Sequence, residues 1–294
     1  MILVTGSDGF IGSRIVQHLD TFAFDGSRIN ICYGLDPSSS PNLFRNRYDF
    51  TAPVRDFGGF EMIEWRNIDV IFHMGAISST TERNVDRIYK YNVDFSIRLM
   101  EKAIEYKIPI YYASSGAVFG NNNYHEYNPL NYYSLAKLTV DYWVQEHIDE
   151  FEKVVGFRFF NVYGDEAGKG NFDISPIWRY SQQAKNEGKI TFWEGSERTS
   201  RDFIWVDDVV DVVTSEYLGG KEIESGIYEL GTGWAVNFET IAEAVSKKYN
   251  VPIERVPMPD KIKGGYQNYT KARNQLNLNQ NDLMNVEKYI ADKL

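Results

Sequence analysis

Tyr133 and Lys137 stand four residues apart in Asn131-Tyr132-Tyr133-Ser134-Leu135-Ala136-Lys137. On a helix that spacing puts both side chains on one face. An ammonium fixed beside a phenol favours the phenolate and lowers its pKa, so the tyrosine can take a proton from an alcohol near neutral pH. Tyr132 has no lysine four residues on, which leaves Tyr133 as the base. A hydroxyl that hydrogen-bonds the reacting oxygen would steady the charge developing there. The apolar run 110–113 leads into Ser114-Ser115-Gly116-Ala117, where Ser115 is the expected partner and Ser114 the alternative.

A second motif lies near residue 1. The apolar run 2–5 leads into Gly6-Ser7-Asp8-Gly9-Phe10-Ile11-Gly12, a Gly-x-x-Gly-x-x-Gly pattern between a strand and a helix. Gly6 allows the tight turn, Gly9 the approach of a pyrophosphate, and Gly12 close packing of helix on strand. Free N–H groups at the helix N-terminus would hold the phosphates. Together these features point to dinucleotide binding, and Lys137 would then also hold the nicotinamide ribose. Asp36 ends the second expected strand, where an acidic residue can accept hydrogen bonds from the adenine ribose and so favours NAD. Arg45 and Arg47 follow and could meet a 2′-phosphate, so NAD and NADP both stay open.

Alternating short apolar runs and amphipathic stretches must position these groups. Strands are expected at 2–5, 29–34, 70–73, 110–113 and 154–159, and helices at 9–19, 84–106 and 132–150. In the last helix Leu135, Leu138, Tyr142 and Gln145 recur at helical spacing. Strands alternating with helices imply βαβ units and a parallel sheet. The less regular second half suggests helices at 175–186, 206–218, 238–249 and 282–293, with strands at 190–193, 201–205 and 227–230.

Composition narrows the function classes. The 294 residues are 43% apolar and 24% charged, as in ordinary folded domains. A formal charge of −10 argues against nucleic acid as a partner. One cysteine and four histidines leave no basis for a disulfide or a metal site. No apolar run reaches the roughly 18 residues of a membrane span, so no membrane partner is expected and the chain reads as cytoplasmic.

Glycine loop, serine, then Tyr-x-x-x-Lys is the order seen in the extended short-chain dehydrogenase/reductases, which the chain resembles. The stretches His73-Met74-Gly75-Ala76-Ile77-Ser78-Ser79-Thr80-Thr81-Glu82 and Phe157-Arg158-Phe159-Phe160-Asn161-Val162-Tyr163-Gly164 narrow the likeness. So do Trp193-Glu194-Gly195-Ser196, Arg201-Asp202-Phe203 and Pro259-Asp260-Lys261-Ile262-Lys263-Gly264-Gly265-Tyr266-Gln267. All are similar to the ADP-L-glycero-D-manno-heptose 6-epimerase family, from Met1 to about Thr270. The resemblance implies an α/β fold, a Rossmann-type doubly wound parallel sheet with a smaller C-terminal α/β region. Residues 1–165 would bind the dinucleotide and 166–294 the substrate, with some elements crossing back to the sheet.

The same resemblance implies site roles. Gly75, Ala76 and Ser78 would line the nicotinamide side of the cofactor, with Asn92 nearby and Val162 touching it. Phe10 and Ile11 belong to the glycine loop, and NADP is the cofactor that the family favours. Lys169 would be the second acid/base. Ser79, Asn161, Arg179, Phe192, Trp193, Glu194, Gly195, Ser196, Arg201 and Tyr266 would hold a nucleotide-sugar. Asn161 offers both donor and acceptor to a sugar hydroxyl, and Arg201 suits a pyrophosphate. A homo-oligomer is also implied. The chain departs from the family in Asp165-Glu166, where many relatives carry proline, in a shorter Lys169 loop, and in Arg179, where the family has histidine.

The expected reaction is oxidation at C6 of the heptose and return of hydride to the opposite face. Another nucleotide-sugar 4-epimerase or reductase is the alternative, and a non-catalytic NAD(P)-binding protein a more remote one. A 4,6-dehydratase would want an Asp-Glu pair after the catalytic hydroxyl, where this chain has Gly116-Ala117.

Overall fold

In the first half, strands β1 (Ile2–Thr5), β2 (Cys32–Leu35), β3 (Val54–Arg55), β4 (Val70–His73), β5 (Ile110–Ser115) and β6 (Val154–Phe159) alternate with helices. The helices there are α1 (Phe10–Thr21), α2 (Val85–Ile88), α3 (Phe95–Tyr106) and α4 (Tyr132–Glu146). The second half adds strands β7 (Asn161–Tyr163), β8 (Ile190–Trp193), β9 (Ser200–Trp205), β10 (Gly226–Leu230), β11 (Ala235–Asn237) and β12 (Ile253–Val256). Its helices are α5 (Pro176–Glu187), α6 (Val206–Ser215), α7 (Phe238–Tyr249) and α8 (Val286–Lys293). The structure, a computed structural model, describes residues 1–21, 32–35, 54–55, 57–121, 126–169, 173–260 and 267–294. Asp36, Arg45, Arg47 and Tyr266 lie outside the described residues.

Strands of the main sheet run in the order β10-β6-β5-β4-β1-β2-β3, and every neighbouring pair is parallel. A parallel sheet covered on both faces needs apolar side chains on both, and the strands supply them with period two. Ile2, Val4, Val70, Phe72, Tyr111, Val155 and Phe157 pack on the face covered by α1 and α6. Leu3, Ile71, Ile110, Tyr112 and Val154 pack on the opposite face, under α3 and α4. Gly156 fits this packing because a Cβ there would lie 2.4 Å from the buried Tyr112 ring.

β10 follows the expected boundary near residue 165 yet returns to pair with β6. β7 leaves the main sheet and pairs with β9 in a three-stranded sheet completed by β11. A separate apolar cluster gathers Tyr180, Phe192, Phe203, Ile241, Val245 and Tyr289 around α5, α7 and α8. β7, β11 and β12 are short strands that the apolar pattern does not reveal. Among the described residues no helix is long and apolar enough to cross a membrane.

Two expected helices differ. The stretch expected to be one helix over 84–106 is α2, a π-helical turn at Tyr89–Asp94, and then α3. π-turns collect at functional sites, and this one carries the buried Asn92. In α4 the stripe of Leu135, Tyr142 and Gln145 faces outward, with Leu135 and Tyr142 half exposed; only Leu138 of that set is buried. The inward face is Ser134, Ala136, Lys137, Val140, Asp141 and Val144. Three polar residues, Ser134, Lys137 and Asp141, lie on it, so an apolar stripe alone misassigns the face.

His73 ends β4 fully buried between Thr5 Oγ1, 2.6 Å from Nδ1, and Ser96 Oγ, 2.8 Å from Nε2. Ser96 donates its own proton to the Asn92 carbonyl, so the imidazole donates from Nε2 and accepts at Nδ1. That arrangement suits the neutral ring. Burial, with the Lys137 charge adding to it, pushes the pKa from 6.5 down to about 3. The unfolded chain therefore takes up this proton first as pH falls. Stability contributed above pH 6.5 is lost on acidification toward 3, by at most about 1.4 kcal/mol per pH unit. Replacing His73→Asn is expected to flatten the fall of the urea midpoint between pH 6.5 and about 4; an unchanged slope would contradict this origin.

Candidate active site

The strand order reverses between β1 and β4, and the loops after these two strands meet at their C-terminal ends, where open α/β sheets bind ligands. Gly6 takes the left-handed φ of 70°, and a Cβ on it would sit 2.7 Å from the Gly75 backbone. A Cβ on Gly12 would lie 2.1 Å from the Gly6 carbonyl oxygen, so the first turn of α1 packs directly on the loop. Gly9 N–H donates to Gly6 O at 2.9 Å and closes the turn. Phe10 is buried against Val206, with Ile11 and Val162 packed beside it. A strand, a tight glycine turn and a helix N-terminus in this arrangement fit a dinucleotide pyrophosphate.

Thr5 Oγ1 joins the two loops by accepting Gly75 N–H at 3.0 Å. Asn92 holds the next turn of chain. Its Oδ1 accepts from Ile77 N–H at 2.8 Å and its Nδ2 donates to Ile77 O at 2.9 Å. With both ends of the amide engaged, Asn92 shapes the 75–78 loop from beneath, while Ala76 and Ser78 are exposed on its rim.

Across the sheet, β5 delivers its terminal serines to α4. Asn131 and Ser134 form a capping box at the start of α4, which fixes how the helix enters and which side chains face inward. Ser114 Oγ donates to Asp141 Oδ2 at 2.9 Å, away from Tyr133. Ser115 Oγ accepts from Ala117 N–H at 3.1 Å and acts on the Tyr133 phenol in the direction that lowers its pKa. Of the two serines, the structure thus brings Ser115 to the tyrosine. Lys137 Nζ is buried and donates to Ala113 O at 2.6 Å.

The Tyr133 phenol departs from expectation. The sequence spacing suggests that Lys137 lowers its pKa. In the structure burial raises it, and Asp173 and Asp141 add to the rise, while Ser115 works against them. The lysine itself is brought from 10.5 down to about 8 by burial, partly offset by Asp141. The physical reason is that both groups are desolvated, and the ammonium is committed to a backbone carbonyl.

Lys169 Nζ pairs with Glu166 Oε2 at 2.9 Å and lies 4.2 Å from the Phe10 ring centroid. Glu166 is fully buried and also accepts from Ser175 N–H at 2.9 Å and from the Ser175 hydroxyl, at the cap of α5. Asp173 has the left-handed φ of 47°. Burial raises its pKa, with Lys169 and a hydrogen bond from Ser79 opposing. Its charge also acts on Tyr133. One carboxylate thus neighbours Tyr133, Lys169 and Ser79. Sequence reasoning did not find Asp173, which carries no motif, and registered Glu166 only as a departure.

Arg179 lies over the Trp193 ring at 4.0 Å and donates to Tyr180 OH at 3.2 Å. Glu194 and Gly195 are exposed, whereas Ser196 is buried. Phe192, expected to hold substrate, is instead fully buried in the α5–α7 core, because it alternates with Trp193 on β8. Arg201 donates from Nε and Nη2 to Gln267 O at 3.0 and 2.7 Å. Gln267 in turn donates to Gly120 O at 2.8 Å, which ties β9 to the turn after Ser115. Asn161 Oδ1 accepts from Thr270 Oγ1 at 3.4 Å.

Three solved structures are similar over nearly the whole chain. ADP-L-glycero-D-manno-heptose-6-epimerase of Helicobacter pylori is 25% identical, with a TM-score of 0.79 over 99% of this chain and 94% of that one. UDP-N-acetylglucosamine 4-epimerase of Methanobrevibacter ruminantium is 20% identical, with a TM-score of 0.78 over 99% and 96%. UDP-glucose 4-epimerase of Thermotoga maritima is 21% identical, with a TM-score of 0.77 over 92% and 89%. The last two carry the fold alone. The family model of the NAD dependent epimerase/dehydratases matches residues 2–231. With that match, the glycine turn at the switch point and the Ser115–Tyr133–Lys137 cluster, the chain belongs to the NAD dependent epimerase/dehydratase family.

Proposed function

We propose that the chain epimerises a nucleotide-sugar, ADP-D-glycero-D-manno-heptose to ADP-L-glycero-D-manno-heptose, by oxidation at C6 and return of hydride to the other face. The observation that carries this is the pairing of two proton-carrying groups, Tyr133 and Lys169, around Asp173. Inversion at one carbon needs the alcohol proton removed from one face and an oxygen protonated again after the carbonyl has turned. Two such groups in one cleft meet that need without a metal. The heptose itself is supported by the loop Ser78-Ser79-Thr80-Thr81-Glu82 and by similarity to the Helicobacter pylori enzyme.

In this mechanism Tyr133 takes the C6 hydroxyl proton, and Ser115 hydrogen-bonds the same oxygen as it becomes a carbonyl. Lys137 provides the positive charge behind the phenol. A bound nicotinamide dinucleotide supplies the hydride acceptor and, with its oxidised ring positively charged, a further cation that lowers the phenol's pKa. Residues 1–165 hold that cofactor, through Gly6, Gly9, Gly12, Gly75 and Lys137. The match to the NAD dependent epimerase/dehydratases supports NAD, and the NADP expected from the heptose epimerase resemblance is the alternative. Residues 166–294 hold the nucleotide-sugar, through Arg179, Trp193 and Arg201. Lys169, paired with Glu166, protonates the oxygen presented after the turn. A homo-oligomer is part of this proposal, supported by the exposed Leu135 and Tyr142 on α4. A UDP-sugar 4-epimerase is the second possibility, because Ser115, Tyr133 and Lys137 would serve it equally.

An NMR assay of purified protein with ADP-D-glycero-D-manno-heptose and no added cofactor is expected to show the C6 epimer. Tyr133→Phe should lower the rate by about 10²–10⁴-fold. Lys169→Met should do the same while leaving dinucleotide affinity unchanged. Absence of epimer even after NAD and NADP are supplied in turn would overturn the heptose assignment and move the test to UDP-, GDP- and dTDP-sugars.

A further inference from the structure

Tyr133, Lys137 and Asp141 follow one another at four-residue steps along α4, and Asp141 is only 1% exposed. Its carboxylate accepts Tyr112 OH at 3.0 Å, Ser114 Oγ at 2.9 Å and Arg158 Nε at 2.8 Å. Tyr112 and Ser114 flank Ala113, and Ala113 O is the acceptor of the Lys137 ammonium. Asp141 therefore grips β5 on both sides of the carbonyl that receives the lysine, two residues before Ser115.

We propose that Asp141 is a positioning residue for the Tyr133–Lys137 pair, fixing the end of β5 against α4 and supplying the negative charge that keeps the buried Lys137 protonated. This rests on the role given to the pair above. Among the described residues no carboxylate makes an ion pair with Lys137, so the charge must act from one helical turn away. The groups that face the cluster are consistent with this. Arg158 comes from β6, stacked 5.0 Å from the Tyr127 ring centroid and 5.4 Å from that of Phe119. His73 comes from β4 and is neutral, Tyr112 comes from β5, and Asp173 approaches Tyr133 from the segment before α5. Burial draws the lysine down to about 8, and the opposing influence is Asp141. Without that carboxylate the ammonium would lose its proton at a lower pH still. Tyr133 would then face an uncharged amine.

The decisive experiment is a substrate-free NMR titration of the Lys137 side-chain resonances in lysine-labelled protein, assigned by their loss in Lys137→Arg. It reports the lysine whether or not the heptose is the substrate, so failure of the epimerase assignment and failure of this inference are separable. In wild type the midpoint is expected near 8. In Asp141→Asn it should fall by about one pH unit or more, a tenfold change in proton affinity. Asp141→Glu, which keeps a carboxylate, should hold it near the wild-type value. Asp141→Asn leaves a buried guanidinium without its partner and can unfold the chain. The double variant Asp141→Asn with Arg158→Gln removes both charges and should show a smaller fall in the same direction. The alkaline limb of kcat/KM should move down with the midpoint, which a purely structural role would not produce. A folded Asn variant, single or double, with an unshifted Lys137 midpoint would overturn the proposal, as would a Glu variant that falls as far as Asn.

Discussion

An ammonium buried at the junction of β5 and α4 constrains the rest of the site. Placing Lys137 out of water is costly unless its donors and its charge are answered. The fold answers the donor with Ala113 O and the charge with Asp141, itself pinned by Tyr112, Ser114 and Arg158. The pinning explains why two adjacent serines behave differently. Strand alternation turns Ser114 toward the carboxylate and leaves Ser115 for Tyr133. It also explains why β6 carries a buried arginine and why residue 156 is a glycine, since the Tyr112 ring occupies the space a Cβ would need.

The same economy joins the two loops at the switch point. Thr5, His73, Ser96 and Asn92 form one line of hydrogen bonds running from the glycine turn to the loop 75–78. Each member answers its neighbour, so the chain of hydrogen bonds has only one arrangement in which every proton has an acceptor. Two loops distant in sequence are thereby held as a single surface. On the other side Glu166 ties Lys169 to the cap of α5, so the lysine proposed as second proton carrier is anchored to a helix terminus.

Much of this was legible in the sequence. The strands of the main sheet are short, mostly apolar runs, and 70–73 and 154–159 match their expected bounds because parallel strands are buried on both faces. The glycine turn and Tyr133–Lys137 were legible because fixed spacing maps directly onto turn and helix geometry. Four features were not. The inward face of α4 was hidden because Lys137 and Asp141 lie on it, so polarity pointed the wrong way. The π-turn at Tyr89–Asp94 leaves the apolar pattern looking like one helix. The direction of the Tyr133 shift depends on desolvation, which spacing does not report. Asp173 belongs to no motif and matters only because the fold brings it beside Tyr133 and Lys169.

The direct test of hydride removal and return is to run the conversion in D2O and measure deuterium at the inverted carbon by mass spectrometry and NMR. Hydrogen carried away and returned as hydride stays out of exchange with solvent. The product is therefore expected to contain no carbon-bound deuterium. Incorporation of one deuterium at that carbon would mean that it is deprotonated and reprotonated from solvent, and would contradict the roles given to Tyr133 and Lys137.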